Sequence, residues 1–274
     1  MADPYPFKNK VIAVTGASRG TGLSLTRYLL VRGATVSMAA TSEANLAKAL
    51  EGIRSDIPDV EHRVMTYSVD IGNAEQVKAW IEATVAKFGP LDGAANVAAQ
   101  MMPRIWPIEI LPHEDVSQCL HVNVVGTFNC LQNELKHMKR GGSIVNCGSI
   151  LSGYSSAGVS AYCAAKHAVV GLTKAAAYEG AAKNIRVNVL SPGCIDTDLI
   201  RQPLIMPNGE GWTVTEDDNL TSIIKRWAKP EEIAASIAFL LGDECRMITR
   251  QEWRVDGGWL ESDYVGGHKD YKHE

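Results

Sequence analysis

Long apolar runs are missing from this 274-residue chain. No stretch approaches the roughly 18 residues that a membrane span needs. The opening MADPYPFKNK is polar and proline-bearing, unlike a secretory leader. These absences direct the expectation to a cytosolic protein without a membrane partner. A surplus of either charge is missing as well. The 27 basic and 31 acidic residues are mixed along the sequence and leave a formal net charge of −4, which supplies no footprint for nucleic acid or anionic lipid. Small-molecule partners are favoured. Cys119, Cys130, Cys147, Cys163, Cys194 and Cys245 include no pair at metal-ligand spacing, and several stand inside apolar runs. Reduced core thiols are expected, and no metal. There is no internal repeat, low-complexity tract or linker. With 46% hydrophobic residues, that leaves one domain over 8–260, flanked by polar tails at 1–7 and 261–274.

What is present is alternation. Short β-rich runs at 11–15, 34–40, 64–69, 91–97, 143–148, 185–190 and 252–255 are separated by longer segments of helical period. This is the signature of βαβ units, and it predicts a doubly wound, seven-stranded parallel sheet of Rossmann type in a three-layer α/β/α arrangement. Near-continuous hydrophobicity in several runs means that both faces of the sheet are covered. Val77, Trp80, Ile81, Thr84, Val85 and Phe88 mark one apolar helix face that should end at Gly89-Pro90. Another helix follows the first strand and stops near Gly33. The rhythm breaks between Asp198 and Lys229, where prolines, glycines and scattered large apolar residues predict a lid.

Thr15-Gly16-Ala17-Ser18-Arg19-Gly20-Thr21-Gly22 follows a strand and opens a helix. Its backbone N–H groups and the helix N-terminus can face a pyrophosphate, which a Cβ would keep away. A tight strand-to-helix turn is the alternative reading. At the end of the second strand, where NAD-binding folds commonly place a carboxylate against the adenosine ribose, this chain has Ala40, then Thr41 and Ser42. Nothing there repels a 2′-phosphate.

Tyr162 and Lys166 in Tyr-Cys-Ala-Ala-Lys are i,i+4 neighbours on a predicted helix. A nearby ammonium favours phenolate, which predicts a tyrosine pKa lowered from ~10 and suits Tyr162 to general acid–base work. The alternative is an exposed pair of little energetic worth. Ser149, in VNCGSILSG, falls at the C-terminal end of the fifth strand, the edge at which open α/β sheets bind ligands. A hydroxyl there can hold a substrate oxygen beside Tyr162.

The T-G-x-x-x-G-x-G loop, Ser149, Y-x-x-x-K, Ser191-Pro-Gly-Cys-Ile-Asp-Thr197 and Val255-Asp-Gly-Gly258, in that order, resemble the short-chain dehydrogenase/reductase family over roughly residues 8–260. The resemblance implies nicotinamide-dependent hydride transfer between a carbonyl and a secondary alcohol. It implies a catalytic set of Asn123, Ser149, Tyr162 and Lys166, in which Asn123 supports a water linking Lys166 to solvent. Cofactor contacts are implied at Gly16, Ser18, Arg19, Gly20, Thr21, Gly22, Ala40, Thr41, Ser42, Asp70, Ile71, Asn96, Tyr162, Lys166, Pro192, Gly193, Ile195 and Thr197. Thr21 stands where the family usually has an aliphatic residue, and Val97 to Ala99 depart from its N-A-G segment. Arg19 resembles the basic residue of NADP-preferring members, so NADP(H) is expected over NAD(H), with a solvated loop arginine as the alternative. Asp70 matches an adenine-contacting aspartate, or else caps the next helix.

Ser149, Leu151, Tyr154, Met101, Cys194 and Trp212 are expected to line the substrate pocket. Their apolar bulk suggests a large, mostly hydrophobic alcohol or ketone, although lid or subunit packing would use the same residue types. Family members are often oligomers, and the apolar run AYCAAKHAVVGLTKAAA fits a homotetramer or homodimer, or simply core. A non-redox reading also stands: an isomerase, epimerase or regulatory protein on a nucleotide-binding fold.

Overall fold

The computed structural model describes residues 5–216 and 222–259; the remaining parts of the expected lid and tails, 217–221, 1–4 and 260–274, lie outside the described residues. Among the described residues the strands are β1 (Val11–Thr15), β2 (Thr35–Ala40), β3 (Val64–Ser68), β4 (Leu91–Asn96), β5 (Met138–Cys147), β6 (Arg186–Pro192), β7 (Leu204–Ile205), β8 (Gly211–Trp212) and β9 (Glu252–Val255). The α-helices are α1 (Gly20–Val31), α2 (Glu43–Asp56), α3 (Ala74–Phe88), α4 (His113–Leu120), α5 (Gly126–His137), α6 (Ser160–Glu179) and α7 (Pro230–Leu241). None is long and apolar enough to cross a membrane.

The seven-stranded sheet has the order β3-β2-β1-β4-β5-β6-β9, and every pairing is parallel. Strands buried on both faces must be apolar on both, and β1 is: all five of its residues are buried. Ile12 and Val14 join Leu25, Leu29, Leu46, Ile53, Ile233 and Ile237 on one face. Val11 and Ala13 join Val77, Trp80, Ile81, Cys130 and Ala176 on the other. These two apolar layers make the three-layer α/β/α architecture. Winding reverses between β1 and β4, whose C-terminal residues Thr15 and Asn96 pair, so a crevice opens above them.

Local chemistry sets the helix ends. Asn73 caps α3 by accepting from the Glu75 and Gln76 backbone N–H groups, both at 3.1 Å, and Gly89, with φ +89°, stops it. The N-cap residue Arg19 gives α1 no side-chain cap, and the helix's first turn holds no acidic residue. Its N-terminal dipole therefore faces the crevice uncompensated.

Four differences from the sequence reading are structural. Phe7, expected in the polar leader, is 3% exposed and packs in the core, because its backbone N–H is anchored to the Arg32 carbonyl at 3.1 Å. The fifth strand begins at Met138, five residues earlier than expected. Within the expected lid, β7 and β8 form an antiparallel hairpin, and Ile205 pairs by backbone with the Pro103–Ile105 segment. The long helix after β4 is interrupted by a π-helical turn at His121–Val125, which carries Asn123.

Candidate active site

The glycine loop is shaped by close approach. Gly16 has φ +66°, and a Cβ on it would stand 3.0 Å from Ala98 Cα, so the β1 loop lies directly against the chain leaving β4. A Cβ on Gly22 would come within 2.3 Å of the Gly16 carbonyl oxygen. Glycine is required at that point for α1 to start where it does. Ala98 N–H donates to Thr15 Oγ1 at 3.1 Å, locking the two strand ends together. Thr197, from the loop after β6, has its Cγ2 3.2 Å from where a Gly20 Cβ would be. The β6 loop thus closes over the glycine loop. Pro192 is the buried last residue of β6, and Ile195 bridges to Ala228 and packs against the core. A Cβ on Gly193 would sit tightly against Asp256, 3.1 Å from its Cα.

Arg19 is exposed at the N-cap of α1, beside half-buried Ser18, while Thr21 is buried in the helix's first turn. Ala40 ends β2; Thr41 is exposed, and its carbonyl accepts from Ser68 Oγ at 3.1 Å. Ser42 caps α2, accepting from Asn45 N–H at 3.2 Å. Asp70 is exposed and accepts from Gly72 N–H at 2.9 Å, a local turn; the cap of the next helix is Asn73 instead. Ile71 turns its side chain into the core, so only its backbone can face a ligand. Asn96 is 5% exposed, its amide nitrogen donating inward to Glu134 and Asn146.

Ser149 stands just past β5 as the cap of a short turn at Ile150–Ser152. Its Oγ accepts from Leu151 N–H at 3.1 Å, and its own N–H donates to Ser152 Oγ at 3.0 Å, which fixes the hydroxyl's place. Tyr162 and Lys166 both lie on the inner face of α6, at 9% and 2% exposure. Lys166 Nζ donates to the Cys147 carbonyl at 2.9 Å and sits 5.4 Å from the Tyr162 ring centroid. The Ser149 hydroxyl lies near enough to the phenol to favour its ionised form. The structure therefore brings Ser149, Tyr162 and Lys166 together.

The lowered tyrosine pKa expected from sequence is overturned. Burial pushes the Tyr162 phenol well above the ordinary tyrosine range; the Cys147 and Cys119 thiols add to the rise, and the Ser149 hydroxyl opposes it. Burial likewise lowers the Lys166 ammonium. Desolvation outweighs the attraction of the pair.

Asn123 is 2% exposed. Its Nδ2 donates to the carbonyls of Gln100 and Cys119, each at 2.8 Å, and its Oδ1 accepts from Gln100 N–H at 3.3 Å. The carboxamide is thus engaged by the loop after β4 rather than by Lys166. Met101 and Leu151 pack against the cluster of Met102, Cys119, Val159 and Tyr162, and Tyr154 is 39% exposed on the turn beyond. Trp212 stands on β8, within the hairpin docked on the Pro103–Ile105 segment. Cys194 lines a small cavity with Gly193, Ile224, Arg226 and Val255. Glu134, fully buried against Asn96, was missed in the sequence although its spacing of four from Cys130 places it on the buried face of α5.

A family model described as enoyl-(acyl carrier protein) reductase matches residues 16–260. The chain is 38% identical over 259 residues to the short-chain dehydrogenase/reductase aba4 of Botryotinia fuckeliana, covering 93% of this chain and 98% of that protein. It is 33% identical over 255 residues to the 3-oxoacyl-[acyl-carrier-protein] reductase FabG of Thermotoga maritima, covering 92% and 98%. A solved short-chain dehydrogenase from Burkholderia cenocepacia J2315, in complex with NADP, superposes with a TM-score of 0.82 at 28% identity, covering 93% of this chain and 99% of that one.

Proposed function

The chain belongs to the short-chain dehydrogenase/reductase family and is an oxidoreductase, and from that premise we propose that it is NADP(H)-dependent and interconverts a carbonyl with a secondary alcohol on a bulky, mostly hydrophobic small molecule. The observation that carries this reading is the convergence of Ser149, Tyr162 and Lys166 at the C-terminal edge of the sheet, with the Lys166 ammonium 5.4 Å from the Tyr162 ring centroid and held by the Cys147 carbonyl.

A dinucleotide suits the residues present. The α1 N-terminus, with no cap from Arg19, meets an anionic pyrophosphate, and the absence of a Cβ at Gly16, Gly20 and Gly22 lets it approach the backbone. Exposed Arg19 at the mouth, with no carboxylate at Ala40, favours a 2′-phosphate. Bound there, the nicotinamide supplies or takes up hydride. Ser149 donates to the substrate oxygen and polarises it. Tyr162 gives its proton to that oxygen in reduction and removes it in oxidation. Lys166, held by the Cys147 carbonyl, fixes the electrostatics of the phenol. Asn123 positions the loop after β4 through Gln100. Met101, Leu151, Tyr154 and Trp212 provide apolar wall for the substrate.

Exposed Val125 and Phe128 at α5 and Tyr178 on α6 support assembly into a homodimer or homotetramer, in a cytosolic setting. The test is purified protein with NADPH and a panel of bulky ketones, following nicotinamide absorbance. Turnover that is lost in Tyr162→Phe supports the reading; conversion unchanged in that variant sinks it.

A further inference from the structure

Beneath the candidate active site, four buried polar side chains connect the elements that carry it. Glu134 of α5 is 0% exposed, and its Oε2 accepts from Asn96 Nδ2 at 3.0 Å. The same Asn96 nitrogen donates to Asn146 Oδ1 at 2.9 Å. Asn146 Nδ2 donates to Thr173 Oγ1 at 2.8 Å, and Thr173 passes its own proton to the Val169 carbonyl at 2.8 Å. Asn146 immediately precedes Cys147, whose carbonyl holds Lys166. Thr173 lies two turns beyond Lys166 on the same face of α6. Asn96 ends β4 opposite Thr15 and leads into the backbone that packs on Gly16.

Among the buried side-chain oxygens of the described residues, two have no hydrogen-bond partner, Glu134 Oε1 and Asn96 Oδ1. They belong to the two groups that face each other. Buried acceptors without donors are unfavourable, and a single proton between these two satisfies both. We propose that Glu134 is held as a neutral carboxylic acid that donates from Oε1 to Asn96 Oδ1 while Asn96 Nδ2 donates to Oε2. This reciprocal acid–amide pair is a positioning device for the ends of β4 and β5 and for α6.

The surroundings favour the neutral form. Asn96 from β4, Asn146 from β5 and Thr173 from α6 do not titrate. The α3 side contributes Val77, Trp80 and Ile81 to the apolar layer around Cys130. On α5 itself the ionisable neighbours are the Cys130 thiol, one turn back, and His137, three residues on. Burial raises the Glu134 carboxyl to about 7, opposed by the Asn96 hydrogen bond, with no cation contributing. The Cys130 thiol is pushed up by its own burial and by Glu134. Loss of the Glu134 proton therefore leaves an uncompensated anion and two unsatisfied oxygens at the base of the catalytic elements.

Difference infrared spectroscopy on the whole protein tests the pair directly. The expected result is a C=O stretch of a buried protonated carboxyl that is present below neutral pH, fades as pH rises through about 7, and is absent from Glu134→Gln. Absence of that band from the wild type overturns the proposal. The kinetic consequence rests on the oxidoreductase reading, which the infrared result does not. In carbonyl reduction, wild-type kcat falls severalfold from acid to alkaline pH while KM holds. Glu134→Gln, whose carboxamide donates permanently to Asn96 Oδ1, flattens that limb, and Glu134→Leu lowers kcat at every pH. A limb that persists unchanged in Glu134→Gln rejects the positioning role even where the band is seen.

Discussion

Lys166 is tethered by its ammonium to the carbonyl oxygen of Cys147 at 2.9 Å, two residues before Ser149 in the chain. Together with the Asn146–Thr173 bond at 2.8 Å, this tether fixes the distance between α6 and the end of β5. Lys166→Met removes both the tether and the charge, and the Cys147 carbonyl loses this partner. The expected outcome is a fall in kcat/KM of roughly 10²-fold or more, as for loss of an acid–base group, with a lower Tm in a thermal melt. An unchanged rate in a variant that folds would remove Lys166 from the mechanism.

Gly22→Ala places a methyl 2.3 Å from the Gly16 carbonyl oxygen, and the obstacle is backbone. The loop must open for the helix to begin. NADPH affinity, followed by cofactor fluorescence, is expected to drop by at least tenfold, with destabilisation of about 1–3 kcal/mol from overpacking.

Arg19 stands exposed at the α1 N-cap with a free guanidinium to offer a phosphate. In Arg19→Ala the loss of a charge-assisted hydrogen bond, about 1.5–3 kcal/mol, is expected to weaken NADPH and leave NADH nearly unaffected. Equal binding of the two cofactors by wild type, with no effect of the substitution, refutes the assignment of the phosphate site.

The Tyr162 phenol lies above its ordinary range because it is buried. Its protonated form, the acid for reduction, is present across neutral pH; the phenolate, the base for oxidation, appears only on the alkaline side. The ratio of oxidation to reduction kcat should therefore climb with pH. A ratio that is flat across the alkaline range counts against Tyr162 as the group in proton transfer.

Glu134 carries a pKa of about 7, against an ordinary 4.5. The folded protein holds this proton more tightly than the unfolded chain. Its contribution to stability is full below the unfolded value and is lost as pH rises toward 7. Relative to Glu134→Gln, wild type should lose about 3 kcal/mol between acid and mildly alkaline pH, read from paired urea titrations.

The sheet was legible because most of its strands hold a short apolar run between turn residues, and a strand buried on both faces writes that directly into composition. The glycine loop and the Tyr162–Lys166 spacing were legible for the same local reason. The β7–β8 hairpin was not, since two-residue strands have no period to read. The π-helical turn at Asn123 joins α4, packed on α6, to α5, packed on α3, a tertiary arrangement that leaves no local mark. The direction of the Tyr162 shift depends on burial by segments distant in sequence, including Cys119 and Cys147. Glu134 was passed over because a charged residue on a helix is ordinarily read as solvated.

The π-helical turn at His121–Val125 has a geometrical consequence for the long helix as a unit. It amounts to one residue more than an unbroken helix would hold, and each residue is worth roughly 100° of rotation about the axis. Removing a single valine there would let 113–137 anneal into one straight rod. Everything before the deletion would then turn against everything after it. Cys119 and Glu134 could no longer both face the protein, and the helix would have to choose between the loop clamped by Asn123 and the sheet gripped through Asn96.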